Sequence, residues 1–232
     1  MGNNKDAVSV GLKRISPDEL GDSHSATSIA TPLTEKAFAL SDSEKIETIR
    51  DHFQAIMETL GLDMEDESLR GTPERVAKMY VNEIFSGLDP KNKPEARKFE
   101  NKFGYGDILM EKNIRVNSFC EHHFLPFIGK AHVAYISSGK VIGLSKINRI
   151  VDYYSRRPQV QERLTLQIAE ELQSALETED VAVFIDSKHL CVSLRGIQDD
   201  ASSTITSEFR GAFRKPDVQR RFLDYVQSRI DL

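Results

Sequence analysis

Apolar residues recur at helical spacing through Ile46, Ile49, Phe53, Ile56, Met57 and Leu60, directly behind Ser41-x-x-Glu44, the pattern of a capping box. This predicts an amphipathic helix that stops at Gly61. A second helix is predicted behind Thr72-Pro73-Glu74, which offers a cap, a first-turn proline and an acid. Its apolar face holds Val76, Met79, Tyr80, Ile84 and Phe85, Gly87 lies beyond its end, and Arg75 and Lys78 ride on its early turns.

From about residue 108 the pattern changes to that of strands. Ile108 to Ser118 and, after Pro126 and Gly129, Ile128 to Ile136 read as two strands that pair as an antiparallel hairpin. Ser145 then caps a helix carrying Ile147, Ile150, Val151 and Tyr154, Pro158 breaks it, and a longer helix follows with Val160, Leu164, Ile168, Leu172 and Leu176. Val181 to Asp186 and His189 to Ile197 read as strands, 202–207 as a Ser/Thr-rich loop, and Pro216 as the opening of a C-terminal helix. Strand, strand, helix, helix, strand, strand is the order of an α+β layer, with two helices packed on one face of an antiparallel sheet. Three regions result. Residues 1–40 are polar, without an apolar period, and are expected to form a flexible tail; 41–100 form a helical segment; 101–232 form the domain that carries the chemistry.

Composition narrows the setting. Hydrophobic residues are 39% and charged residues 29%, which leaves no run of about 20 apolar residues to span a bilayer. The first twenty residues lack a secretory pattern, and two cysteines are too few for a disulfide framework, so a reducing cytoplasm is expected. A net charge of -5 argues against nucleic acid or a membrane surface as partner, because neither polyanion is drawn to an acidic body. An anionic substrate would have to meet a local basic pocket.

The chemistry-bearing residues gather in two short segments. Asn117 to Pro126 contains Cys120-Glu121-His122-His123, and Lys188-His189-Leu190-Cys191 supplies the other cysteine. Along the expected strand from 189, the side-chain period of two puts His189, Cys191, Ser193 and Arg195 on one face. Cys120-x-x-His123 has the ligand spacing of zinc sites and Cys191 can add a second thiolate; three ligands favour a catalytic zinc with one position for water over a closed structural site. Against this, one C-x-x-H arises often by chance, and buried cysteines mostly behave as small hydrophobes. His122 and His189 remain as proton donors or acceptors, or as satisfied polar groups. His132 reads as structural, and His24 and His52 have no chemical company. Lys146 and Arg149 follow the Ser145 cap, where free N–H groups favour an anion, and Arg195 could close that cradle; a solvated basic helix start is the alternative. Gln161 and Glu162 open the next helix, where an acid is also favoured by the helix dipole alone.

Four separated motifs, Cys120-Glu121-His122-His123, Val141-Ile142-Gly143-Leu144-Ser145-Lys146, Arg156 to Thr165, and His189-x-Cys191 with Arg195-Gly196, resemble GTP cyclohydrolase I from about residue 44 to the C-terminus. The resemblance implies a tunnelling fold and a ring-shaped homodecamer with active sites between neighbouring subunits. It implies zinc on Cys120, His123 and Cys191, and opening of the guanine imidazole ring of GTP to formate and 7,8-dihydroneopterin triphosphate, the first step toward folate or tetrahydrobiopterin. A zinc-activated water would attack C8 while His189 protonates N7, and His122 would assist later proton transfers. Glu162, with Gln161 beside it, would read the guanine edge; Ser145, Lys146, Arg149 and Arg195 would hold the triphosphate, and Arg75 would reach a neighbour's. Arg210 stands near where the family often has glycine, which bears on local loop packing. Two other classes fit less well: a nucleotide deaminase would carry H-x-E and P-C-x-x-C, absent here, and a non-catalytic nucleotide-binding regulator would not need both histidines and Glu162.

Overall fold

The structure, a computed structural model, describes residues 28–228; the expected tail up to residue 27, with His24, lies outside them. Within the stretch read as tail, Ser28 and Ile29 lie against the body. Their carbonyl oxygens accept hydrogen bonds from Arg163 Nε at 3.0 Å and Gln167 Nε2 at 2.7 Å.

Helix α1 (Asp42–Thr59) starts from the capping box as its sequence requires: the Ser41 hydroxyl accepts from the Glu44 N–H while Glu44 accepts from the Ser41 N–H. It packs on α2 (Thr72–Met79), which a π-helical turn, Tyr80–Ile84, extends. The N-cap of α2 is Gly71, not Thr72, and no side chain caps it. A two-stranded ribbon of β1 (Lys98–Glu100) and β4 (Lys140–Ile142) stands apart from the main sheet.

The main sheet holds five strands: β2 (Leu109–Cys120), β3 (Pro126–Tyr135), β5 (Pro158–Gln159), β6 (Val181–His189) and β7 (Thr204–Phe209), in spatial order β5-β2-β3-β6-β7. All neighbours are antiparallel except β5, which runs parallel to the end of β2. The expected hairpin is β2 and β3, with a register shift between Glu111 and Ile114. Helices α3 (Leu144–Ser155) and α4 (Gln161–Leu176) cover one face, burying Ile147, Ile150, Leu164, Ile168 and Leu172 against Val116, Phe127, Val133, Val183 and Ile185. A smaller cluster around Ala134, Ala182, Phe213 and Phe222 seats the C-terminal helix α6 (Pro216–Gln227). The class is therefore α+β as expected.

Three further local expectations fail. The strand read from His189 to Ile197 is absent: β6 ends at His189 and the chain turns into a single helical turn, α5 (Leu190–Ser193), closed by Leu194 N–H to Leu190 O at 3.0 Å. Four residues are too few to reveal a helical period, so alternation alone suggested a strand. The loop read at 202–207 is largely β7, an edge strand held by its ladder to Ala182–Ser187 rather than by apolar side chains. Gly143, not Ser145, is the N-cap of α3, and Ser145 sits in its first turn without a capping bond.

Candidate metal centre and active site

Strand β2 delivers Cys120 at its last position, where pairing with the parallel β5 stops. The following loop is fixed by its own backbone: Cys120 N–H donates to Leu125 O at 2.8 Å, Phe124 N–H to Cys120 O at 2.9 Å, and Glu121 N–H to Gln159 O at 3.0 Å. Phe124 takes a left-handed φ of 54° and sets its ring edge-on to Phe85, which ties the loop to the end of the helical segment. Across the sheet, β3 and β6 pair Phe127 with His189, and their rings stack at 4.7 Å. The turn after His189 swings Cys191 toward Cys120, which an extended strand would not do.

The result is a cluster in which the ligand atoms of Cys120, His123 and Cys191 all lie within 4.8 Å of one another. The donor set suits a soft or borderline cation such as zinc with one position left for water. Burial, then the facing Cys120 sulfur, push the Cys191 thiol up to about 11, while Arg195 pulls the other way. A dication between the sulfurs is what would let both ionise. Arg195 NH1 donates to His123 Nε2 at 2.7 Å, so this guanidinium stands at the cluster itself. His122 lies beside it, with Nδ1 3.7 Å from Cys120 Sγ and Nε2 3.9 Å from Glu121 Oε1.

His189 sits at the end of β6. Burial holds its pKa below the ordinary imidazole value, opposed by the charge of Glu162, which is exposed in the first turn of α4. Gln161 is almost wholly buried, and its side chain contacts His189 Nε2 at 2.8 Å. Ser145 and Lys146 open α3, and Arg149 is one turn on, lining a surface cleft with Arg115 and Arg156. Arg75 folds back on its own helix start, donating to Thr72 Oγ1 at 2.8 Å and Ser68 O at 3.2 Å. Arg210 is anchored by Glu208 at 2.8 Å and Gln173 at 2.6 Å, which settles the packing question raised at this position.

Sequence reasoning missed two groups around the site. Arg163 is buried and grips Glu121, and Ser187 is buried and donates to Gln161. Ser187 was findable, because it falls on the inward parity of β6 with Val183, Ile185 and His189.

These features define an α+β protein with a Cys120-His123-Cys191 cluster that could hold a metal ion and with His122 beside that cluster. The sequence model of one family, GTP cyclohydrolase I, matches residues 49–227. Among curated relatives, GTP cyclohydrolase 1 of Flavobacterium johnsoniae is 61% identical over 210 residues, covering 90% of this chain and 94% of its own. The enzymes of that name from Aeromonas salmonicida and Vibrio parahaemolyticus are 53% and 51% identical, over 85% and 80% of this chain and 90% and 86% of theirs. The chain belongs to the GTP cyclohydrolase I family. Among the described residues no helix is long and apolar enough to cross a membrane.

Proposed function

We propose that the chain converts GTP and water to formate and 7,8-dihydroneopterin triphosphate, with zinc on Cys120, His123 and Cys191, at the head of a folate or tetrahydrobiopterin pathway in the cytoplasm. The observation that carries this reading is the convergence of the three ligand atoms within 4.8 Å, with His189 two residues before Cys191. Bound zinc would supply a water whose pKa falls to roughly 7 and so a hydroxide at neutral pH. His189, its ring fixed on Phe127, donates a proton to N7 of the purine so that C8 accepts the water oxygen. His122 moves protons as the ring opens and the ribose rearranges. Glu162 accepts from the N1–H and exocyclic amine of guanine. Ser145, Lys146, Arg149 and Arg195 hold the triphosphate, with Arg75 reaching it from a neighbouring subunit.

This assignment needs assembly: the resemblance implies a tunnelling fold in a ring of ten subunits, with sites completed between neighbours. Incubation with GTP, with and without prior zinc removal, tests it by scoring formate and oxidised fluorescent neopterin together. Zinc-dependent release of both is expected. GTP binding with zinc present and no formate would overturn the reaction and the roles given to His122 and His189.

A further inference from the structure

The side chain of Gln161 is spoken for inside the protein. Its Nε2 faces the main-chain carbonyls of Ile185 at 3.2 Å and Thr204 at 2.9 Å. A carbonyl oxygen only accepts, so the amide nitrogen must lie on that side and Oε1 on the other. Oε1 is then the acceptor for two groups, Ser187 Oγ at 2.6 Å and His189 Nε2 at 2.8 Å. An amide oxygen cannot donate, so His189 Nε2 must carry the hydrogen.

Hydroxyls behind the amide fix it in place. Thr206 Oγ1 lies 3.1 Å from Gln161 Nε2 and 2.7 Å from Thr165 Oγ1, and Thr165 donates to the Gln161 carbonyl at 2.9 Å. A single donor direction runs through this ring: Gln161 Nε2 to Thr206, Thr206 to Thr165, Thr165 to Gln161 O. Gln161 and Ser187 are both nearly inaccessible. With one face stacked on Phe127 at an interplanar angle of 10°, the imidazole has neither rotational nor tautomeric freedom.

The geometry points to Gln161 as a positioning residue that, with Ser187 and Thr206 behind it, aims His189 and keeps a hydrogen on Nε2, rather than as a reader of the guanine edge. Nδ1 is then the ring nitrogen not committed to the Gln161 amide. The inference deepens the proposed reaction and rests on His189 serving as its proton donor.

Two experiments on the zinc-loaded, full-length protein test it. Neutron diffraction after exchange into heavy water should find a deuteron on His189 Nε2; an empty Nε2 would overturn the inference whatever the state of Nδ1. In steady-state kinetics, Gln161→Met should lower kcat about 100-fold, the lower range for a general acid, with KM for GTP within about threefold. A raised KM with kcat held would return Gln161 to the guanine edge. If Gln161→Met fails to fold, Ser187→Ala, which removes one donor to the same oxygen, should lower kcat several-fold at unchanged KM, and the neutron result stands without either variant. Wild-type protein that releases no formate would overturn the reaction itself; active wild type with an empty Nε2 would overturn only the inference.

Discussion

Arg163, on the buried side of α4, grips both carboxylate oxygens of Glu121, the residue beside Cys120 in the loop that carries two of the proposed metal ligands. The guanidinium is 1% exposed and its remaining Nε–H donates to Ser28 O, so a charge in the core is satisfied from two sides. Removing it strands a largely buried carboxylate. Arg163→Met should therefore cost about 3–5 kcal/mol, the range for breaking a buried pair. Because the pair ties to α4 the loop that carries two of the proposed ligands, zinc affinity should fall about 10–100-fold. Urea unfolding and titration against a chromophoric chelator measure the two effects; unchanged zinc affinity would show that the pair serves stability alone.

Loss of zinc should lock the site. Cys120 and Cys191 are the only cysteines of the chain and their ligand atoms already face one another. Once the ion is stripped, air oxidation can join the two sulfurs. Chelator-treated, air-exposed protein is expected to lose two hydrogens by intact mass and to show no free thiols, and Cys191→Ser should keep one thiol under the same treatment. Two free thiols in the wild type would contradict this.

How far the sequence carried depends on whether the signal was local. The capping box of α1, the apolar faces of α3 and α4, and the hairpin of β2 and β3 each declare themselves within one window, and each is where periodicity put it. The edge strand β7 does not, since Thr204 and Thr206 are held by ladder bonds to β6 and by contacts to Gln161. The turn at Leu190 was equally hidden, and with it the reason Cys191 meets Cys120. Arg163 reads as an ordinary polar position on a helix until its distant partner, Glu121, is known.

His132 should make the fold sensitive to acid. It is buried on β3, and among the described residues its Nδ1 has no hydrogen-bond partner. Burial first, then Lys112 and Lys130, hold its pKa below the ordinary imidazole value, with Asp186 opposing. The sign follows directly. A depressed folded pKa means the unfolded chain binds the proton more readily, so stability is full above about pH 6.5 and declines as pH falls below it. Urea midpoints at pH 7.5 and 5.5 should differ more for the wild type than for His132→Gln, which keeps a polar group but no titration there. Equal differences would assign the acid sensitivity to other groups.

The contact between β3 and β6 positions His189 and Ser187, and at Gly129 it leaves no room for a side chain. A Cβ there would stand 2.1 Å from Asp186 O and 2.4 Å from Ser187 Cβ, and neither can move without opening the ladder. The same ladder holds His189 against Phe127 and Ser187 against Gln161, so a clash at Gly129 prises apart the strands that carry His189 and Ser187. Gly129→Ala should therefore destabilise by about 3 kcal/mol or more, at the upper end for single substitutions, at about 2–4 °C of Tm per kcal/mol. Activity should fall further than stability alone predicts, because the surviving folded molecules hold His189 displaced. Gly106→Ala is the control: its Cβ would meet nothing nearer than 3.9 Å and should leave Tm and turnover within error. A Gly129→Ala protein with wild-type Tm would mean that the strands separate more easily than this close approach implies.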